Sequence, residues 1–180
     1  MNFKKLSISD SYIIQPDAFS DERGVFRRAF CNDTFLNNSS DNKIMQANIS
    51  ENYKKHTLRG FHYQVEPHSE AKTLTCVSGS VYDIIVDLRP QSETYLMWEA
   101  VTLTKDNKSS LHVPKGCANS FLTLEDNTTM VYFSSNNYNP QFEKGLRYND
   151  PTFKFIWPIG EPKFISDKDS SWPDYIINKK

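Results

Sequence analysis

The sequence predicts an all-β protein, an antiparallel sandwich or jelly roll. Two observations carry that expectation. Short runs rich in β-branched and aromatic residues, separated by polar turn clusters, recur at spacings of about 8–12 residues. Helical periodicity is weak everywhere except around residues 32–38, NDTFLNN.

Each element has a local reason. Residues 35–43, FLNNSSDNK, read as a polar loop. Residues 58–64, LRGFHYQ, look like the entry of a strand. Alternation there sets Gly60, His62 and Gln64 on one face and Phe61 and Tyr63 on the other. Residues 72–90, KTLTCVSGSVYDIIVDLRP, give a strand, a turn at Ser78-Gly79, a second strand and a stop at Pro90. Residues 97–116, MWEAVTLTKDNKSSLHVPKG, repeat strand, polar turn and strand. So do residues 120–135, SFLTLEDNTTMVYFSS, with Glu125-Asp126-Asn127 as the turn. A barrel of this kind has a mouth between its sheets, a frequent place for small-molecule sites.

Composition limits the function classes. A chain of 180 residues fits one domain, residues 1–180, long enough to bury a substantial core. The 21 basic and 22 acidic residues leave a net charge of −1, no footprint for nucleic acid or an anionic membrane. Cys31, Cys76 and Cys117 are an odd, widely spaced set without a CxxC pair, which suits a reducing, cytoplasmic setting. The first residues, MNFKKLSISDSYIIQP, show no long apolar core, so neither a signal peptide nor a membrane span is expected.

The chemistry-bearing residues concentrate in residues 58–72, LRGFHYQVEPHSEAK. His62, Glu66 and His68 have donor types suited to a metal, but the histidines are six apart with Pro67 between them, and no His-x-His pair occurs. No metal and no cofactor are therefore expected, and His56 and His68 read as surface loop residues. His62 is either a base facing a cavity or a core histidine satisfied by a hydrogen bond; local pattern leaves both open. Lys72, at a strand end, is a solvated edge residue or, pointing inward, a cation able to stabilise an oxyanion. Tyr132 and Tyr138 are six residues apart, on one face of a straight strand. A buried tyrosine is commonly a packed aromatic with a paired hydroxyl, and across a cavity from a histidine it can donate a proton.

In their order, RGVFRRAF, QANIS, LRGFHYQ, residues 72–104, residues 113–140, YNDPTFKFIWP and ISDKD resemble the dTDP-4-dehydrorhamnose 3,5-epimerase family over residues 10–175 or so. The resemblance implies a cupin-like jelly roll that uses no metal, forms a cytosolic homodimer and acts on a nucleotide-diphosphate 4-keto-6-deoxy sugar. A ketone at C4 acidifies the protons on C3 and C5, and removal then return from the opposite face inverts a centre. By resemblance His62 is the base and Tyr132 the acid, Lys72 holds the C4 oxygen, and Asp169 orients the histidine, with Asp167 the alternate. Arg23 and Arg59 would meet the diphosphate. Gln46 and Asn48 would lie near sugar and nucleotide, Tyr138 would stack on the base with Glu143 nearby, and Phe26 would line the nucleotide pocket. The N-terminal strands would exchange between subunits, carrying the Arg23 region towards the partner's site.

Two positions depart from the family pattern. Arg28 stands where a glutamate is usual; arginine donates and cannot accept from thymine N3–H, which suits a base presenting acceptors, as in a CDP or GDP sugar. Asn119 replaces a histidine of the sugar–phosphate region, a change that bears on which carbon is inverted. The competing classes are a ketoisomerase, a binding module without catalysis and a metal-dependent cupin oxygenase.

Overall fold

In the computed structural model, which describes residues 1–38 and 43–177, the apolar runs become strands. In chain order these begin β1 (Asn2–Lys5), β2 (Tyr12–Gln15), β3 (Ala18–Asp21) and β4 (Gly24–Arg27), followed by helix α1 (Asn32–Asn38). Next come β5 (Gln46–Asn52), β6 (Leu58–Gln64), β7 (Lys72–Ser78), β8 (Ser80–Asp87) and β9 (Trp98–Thr104). The order closes with β10 (Ser110–Val113), β11 (Cys117–Thr123), β12 (Thr128–Ser134), β13 (Glu143–Gly145) and helix α2 (Asp167–Ser170). Two antiparallel sheets result, β1-β2-β10-β7-β12-β5 and β13-β6-β11-β8-β9, with β3-β4 as a separate hairpin. This is the jelly-roll class that the strand spacing predicts.

The three strand–turn–strand units do more than make hairpins. β7 and β8, β9 and β10, and β11 and β12 each place their two strands in different sheets. The turns are therefore corners of the sandwich. Gly79 makes the first corner at φ +75°, where an added Cβ would run into the Thr128 side chain. Asn127, a residue tolerant of the left-handed region, makes the third at φ +53°.

Between the sheets lies one apolar core, with Leu74 and Cys76 of β7, Val81 and Ile85 of β8, Leu103, Leu111, Phe121 and Met130. A second cluster covers the outer face of the five-stranded sheet, where Phe61, Ile84 and Val86 meet Leu146 and Phe153 from the C-terminal segment. Phe155 stacks on Phe61 at a centroid distance of 4.4 Å. β8 is thus buried on both faces, which explains why its sequence reads as a continuous apolar run. The three cysteines are free thiols, and burial pushes the Cys76 thiol up to about 11, so it packs as a neutral hydrophobe.

One boundary differs from expectation. Residues 35–38 of the polar loop belong to α1, because Phe35 is buried against Phe30 and Phe3, at centroid distances of 4.6 and 5.1 Å. Residues 39–42 of that loop lie outside the described residues. No described helix is long and apolar enough to cross a membrane.

Candidate active site

The core fills only part of the space between the sheets; the rest is a cavity of about 560 Å³. Register decides what lines it. Tyr132 of β12 lies opposite Asn48 of β5 and Leu74 of β7, and Ser134 lies opposite Gln46 and Lys72. Directly opposed residues share a face, so Gln46, Asn48, Lys72 and Tyr132 line one wall together. The facing wall comes from the other sheet, where Asn119 of β11 is opposite His62 of β6. Arg59, Tyr138 and Glu143 complete the lining.

His62 is held by a carboxylate 107 positions away in sequence: Nε2 is 2.6 Å from Asp169 Oδ1. Asp169 Oδ2 accepts the Gly60 N–H at 3.1 Å, and the Asp169 N–H donates to Ser166 Oγ, the N-cap of α2, at 3.1 Å. Burial pushes the Asp169 pKa up, but the bonds from His62, Gly60 and Ser166 outweigh it and hold the carboxyl below its ordinary range. An ionised Asp169 makes Nε2 the donor and leaves the Nδ1 lone pair to take a proton. Asp167, the alternate, is exposed. Gly60 has a reason of its own: at φ +115° a Cβ would stand 2.6 Å from the Asn119 carbonyl oxygen. Only glycine lets β6 come this close to β11 while aiming its N–H at Asp169.

Lys72 is not a solvated edge residue. Its side chain is 13% exposed, and Nζ lies 3.2 Å from both the His62 carbonyl oxygen and Glu70 Oε1. Burial raises the Tyr132 pKa, the Glu70 charge raises it further and Arg59 opposes, so the phenol stays protonated, as a proton donor requires. Arg59 is exposed and its Nε donates to Asn52 Oδ1 at 2.7 Å. Tyr138 is fixed at both ends: its N–H donates to Gln46 Oε1 and its hydroxyl to Glu143 Oε2, each at 2.7 Å. Lys168 of α2 reaches the same Glu143 oxygen at 2.5 Å.

Ten of the sequence-derived site residues therefore meet around one pocket: Gln46, Asn48, Arg59, His62, Lys72, Asn119, Tyr132, Tyr138 and Glu143 line it, and Asp169 backs His62. Arg23, Phe26 and Arg28 are not among the lining residues. They lie on or just after the β3-β4 hairpin, with Phe26 68% exposed and Arg28 exposed. Arg23 is 83% exposed and paired with Asp21 at 2.5 Å. Glu66 is also exposed, and the His68 ring packs on Phe142 at 4.5 Å with Nε2 facing Asn139. His68 is thus half-buried rather than a surface loop residue, because the chain after β12 folds over it. Among the described residues no group of three or more His, Cys, Asp or Glu is arranged to hold a metal ion.

Three residues that bear on the site were missed by sequence reasoning: Glu70 lines the pocket, while Asp83 and Lys168 bond to the lining residues Asn119 and Glu143. Glu70 has a signal, two positions before Lys72 and so on the same side of an extended chain. Asp83 has a stronger one, a carboxylate inside the apolar run VYDIIVD. It accepts from Asn119 Nδ2 at 3.2 Å, and its complete burial pushes its pKa up to about 8. Lys168 carries no signal beyond its place beside Asp169.

A cupin-like jelly roll whose pocket faces a carboxylate-held histidine towards a protonated tyrosine across a lysine defines a class, the isomerases that move protons beside a carbonyl. The chain belongs to the dTDP-4-dehydrorhamnose 3,5-epimerase family, whose sequence model matches residues 5–176. A curated dTDP-4-dehydrorhamnose 3,5-epimerase from Shigella flexneri is 36% identical over 179 residues, 98% of this chain and 97% of the relative. The crystal structure of a Bacillus anthracis dTDP-4-dehydrorhamnose 3,5-epimerase, with TDP and pyrophosphate bound, superimposes with a TM-score of 0.91 at 31% identity, covering 97% of this chain and 99% of that one. A 3'-monoepimerase from Streptomyces bikiniensis in complex with dTDP-quinovose gives a TM-score of 0.87 at 30% identity, covering 94% and 85%.

Proposed function

We propose that residues 1–180 form one domain that inverts C3 and C5 of a dTDP-linked 4-keto-6-deoxyhexose. The observation that carries the reading is the His62–Asp169 pair set in one wall of a cavity whose other wall holds Tyr132 and Lys72. His62 Nδ1 takes the proton beside the ketone, and the electron pair moves onto the C4 oxygen. Lys72 stabilises that oxygen as its charge develops. Tyr132 returns a proton to the opposite face, and inversion follows. Arg59 takes a phosphate and Tyr138 stacks on the base, with Gln46 and Asn48 between them.

The dTDP group is preferred because related structures hold TDP and dTDP-quinovose. Arg28, the residue that argued for another base, lies outside the lining of the single-chain pocket. Completion of the nucleotide end falls to a second copy in a homodimer. Its β3-β4 hairpin would bring Arg23 and Phe26, and the exposed Phe19, Val25 and Phe26 supply apolar surface for the contact.

The test is incubation in D2O with dTDP-, CDP- and GDP-4-keto-6-deoxyhexoses, read by NMR. Deuterium at both C3 and C5 of the dTDP sugar is expected. Incorporation at C3 alone makes the enzyme a monoepimerase, and no incorporation with any of them contradicts the reading.

A further inference from the structure

Glu70 is a buried carboxylate in the pocket that no step above uses. Its side chain is 7% exposed, and it lines the cavity with Lys72 and Tyr132. Its place is set by the strand geometry that sets theirs. Glu70, Lys72 and Leu74 alternate along one side of the chain entering β7, and all three line the cavity. The intervening Ala71 is locked to the β12 end, its N–H donating to Ser135 Oγ at 2.8 Å and its carbonyl accepting from Ser135 N at 2.9 Å. Glu70 therefore has little freedom to turn away.

A lysine is a poor fixed electrophile when left alone: four rotatable bonds let its ammonium wander. Here the ammonium rests between the Glu70 carboxylate and the His62 carbonyl oxygen, both at 3.2 Å. With two directions taken, the third N–H is left for the cavity. We propose that Glu70 is a positioning residue that holds the Lys72 ammonium in place to receive the sugar's carbonyl oxygen. The same negative charge helps keep the Tyr132 phenol protonated, after burial and against Arg59. The groups that bear on Tyr132 are thus Glu70 from the β6–β7 loop and Arg59 on β6, with Lys72 on β7 and His62 on β6 in the same pocket. This inference rests on the epimerase reading, since it names what holds the cation for that chemistry.

Two measurements on the intact protein test it. Tyr132 ionisation is read by ultraviolet absorbance as the difference from Tyr132→Phe, which needs no turnover. Glu70→Gln should lower its midpoint, because it removes the negative charge that raises it. In steady-state kinetics Glu70→Gln should lower kcat about 10–100-fold while leaving affinity for dTDP unchanged, and combining it with Lys72→Met should cost no more than Lys72→Met alone. Glu70→Asp, which keeps the charge but withdraws it by one methylene, should lose kcat and keep the Tyr132 midpoint. An unmoved midpoint in Glu70→Gln, or losses from Glu70→Gln and Lys72→Met that multiply, would overturn the proposal. If the unaltered protein shows no deuterium exchange, the epimerase reading fails, while the titration still decides whether Glu70 acts on the pocket.

Discussion

His62 and Arg23 stand at opposite extremes of support. His62 is gripped by Asp169, which is itself fixed by the Gly60 N–H and capped by Ser166, and the strand beneath is backed by an aromatic cluster. Arg23 stands on a two-stranded hairpin outside both sheets, and its bonds are to Asp21, two residues away. The same contrast divides the pocket. The residues proposed for the acid–base chemistry all come from one chain, whereas the hairpin presents Phe19 and Phe26 to solvent, 69% and 68% exposed. Groups that perform proton transfer need sub-ångström placement, which only a packed scaffold supplies. Groups that grip a phosphate tolerate looser placement and can arrive from another subunit.

The sharpest way to break that contrast is at the rigid end. His62→Asn should lower deuterium exchange at both carbons by about 10³-fold or more, because it removes the proposed base. Tyr132→Phe should separate the two half-reactions, retaining exchange while losing inversion by about 10²-fold, as NMR of the product would show. A conflict between full activity in either variant and the assigned roles would be direct.

Asp169→Asn should cost about 10²-fold in kcat with little change in KM, since it alters the ring's tautomer and not the binding surface. The pH dependence has a definite sign. The folded-state pKa of Asp169 is depressed, so its contribution to stability is present above the ordinary carboxylate value and lost as pH falls through the folded value. Thermal denaturation should therefore show Asp169→Asn losing less stability than the unaltered protein as pH falls below about 4. Gly60→Ala should destabilise by about 3 kcal/mol, since its Cβ meets the Asn119 carbonyl at φ +115°; chemical denaturation measures it.

Away from the rigid end the effects should be smaller. Arg23→Ala should raise KM about tenfold and leave the melting temperature unchanged. Breaking the Glu143–Lys168 pair with Lys168→Met should cost about 0.5 kcal/mol, because Lys168 is half-exposed and the pair is screened.

How much of this was legible follows the same division. Period-two alternation and β-branched runs gave the strands, β8 among them, but not its burial on both faces, which depends on the C-terminal segment packed over it. Family motifs gave the ten residues that meet at the pocket. Local pattern could not show which sheet a strand enters, because Ser78-Gly79 and Glu125-Asp126-Asn127 read alike as hairpin turns or sandwich corners. Nor could it decide between a solvated and an inward Lys72, since that depends on Glu70 and the His62 carbonyl, which only folding brings within 3.2 Å. His68 was misjudged for a related reason: its cover, Phe142, comes from a segment 74 positions later.

Mixed subunits test the division most directly. His62→Asn disables a site from within, and Arg23→Ala, assayed at substrate well below KM, weakens about tenfold the site that the hairpin enters. If the hairpin serves the partner, co-expressing the two variants at equal levels forms heterodimers with one intact site. Epimerase activity should then return to about a quarter of the unaltered level, although each variant alone is impaired. Activity no higher than the average of the two variants would contradict the account and place Arg23 in the service of its own chain.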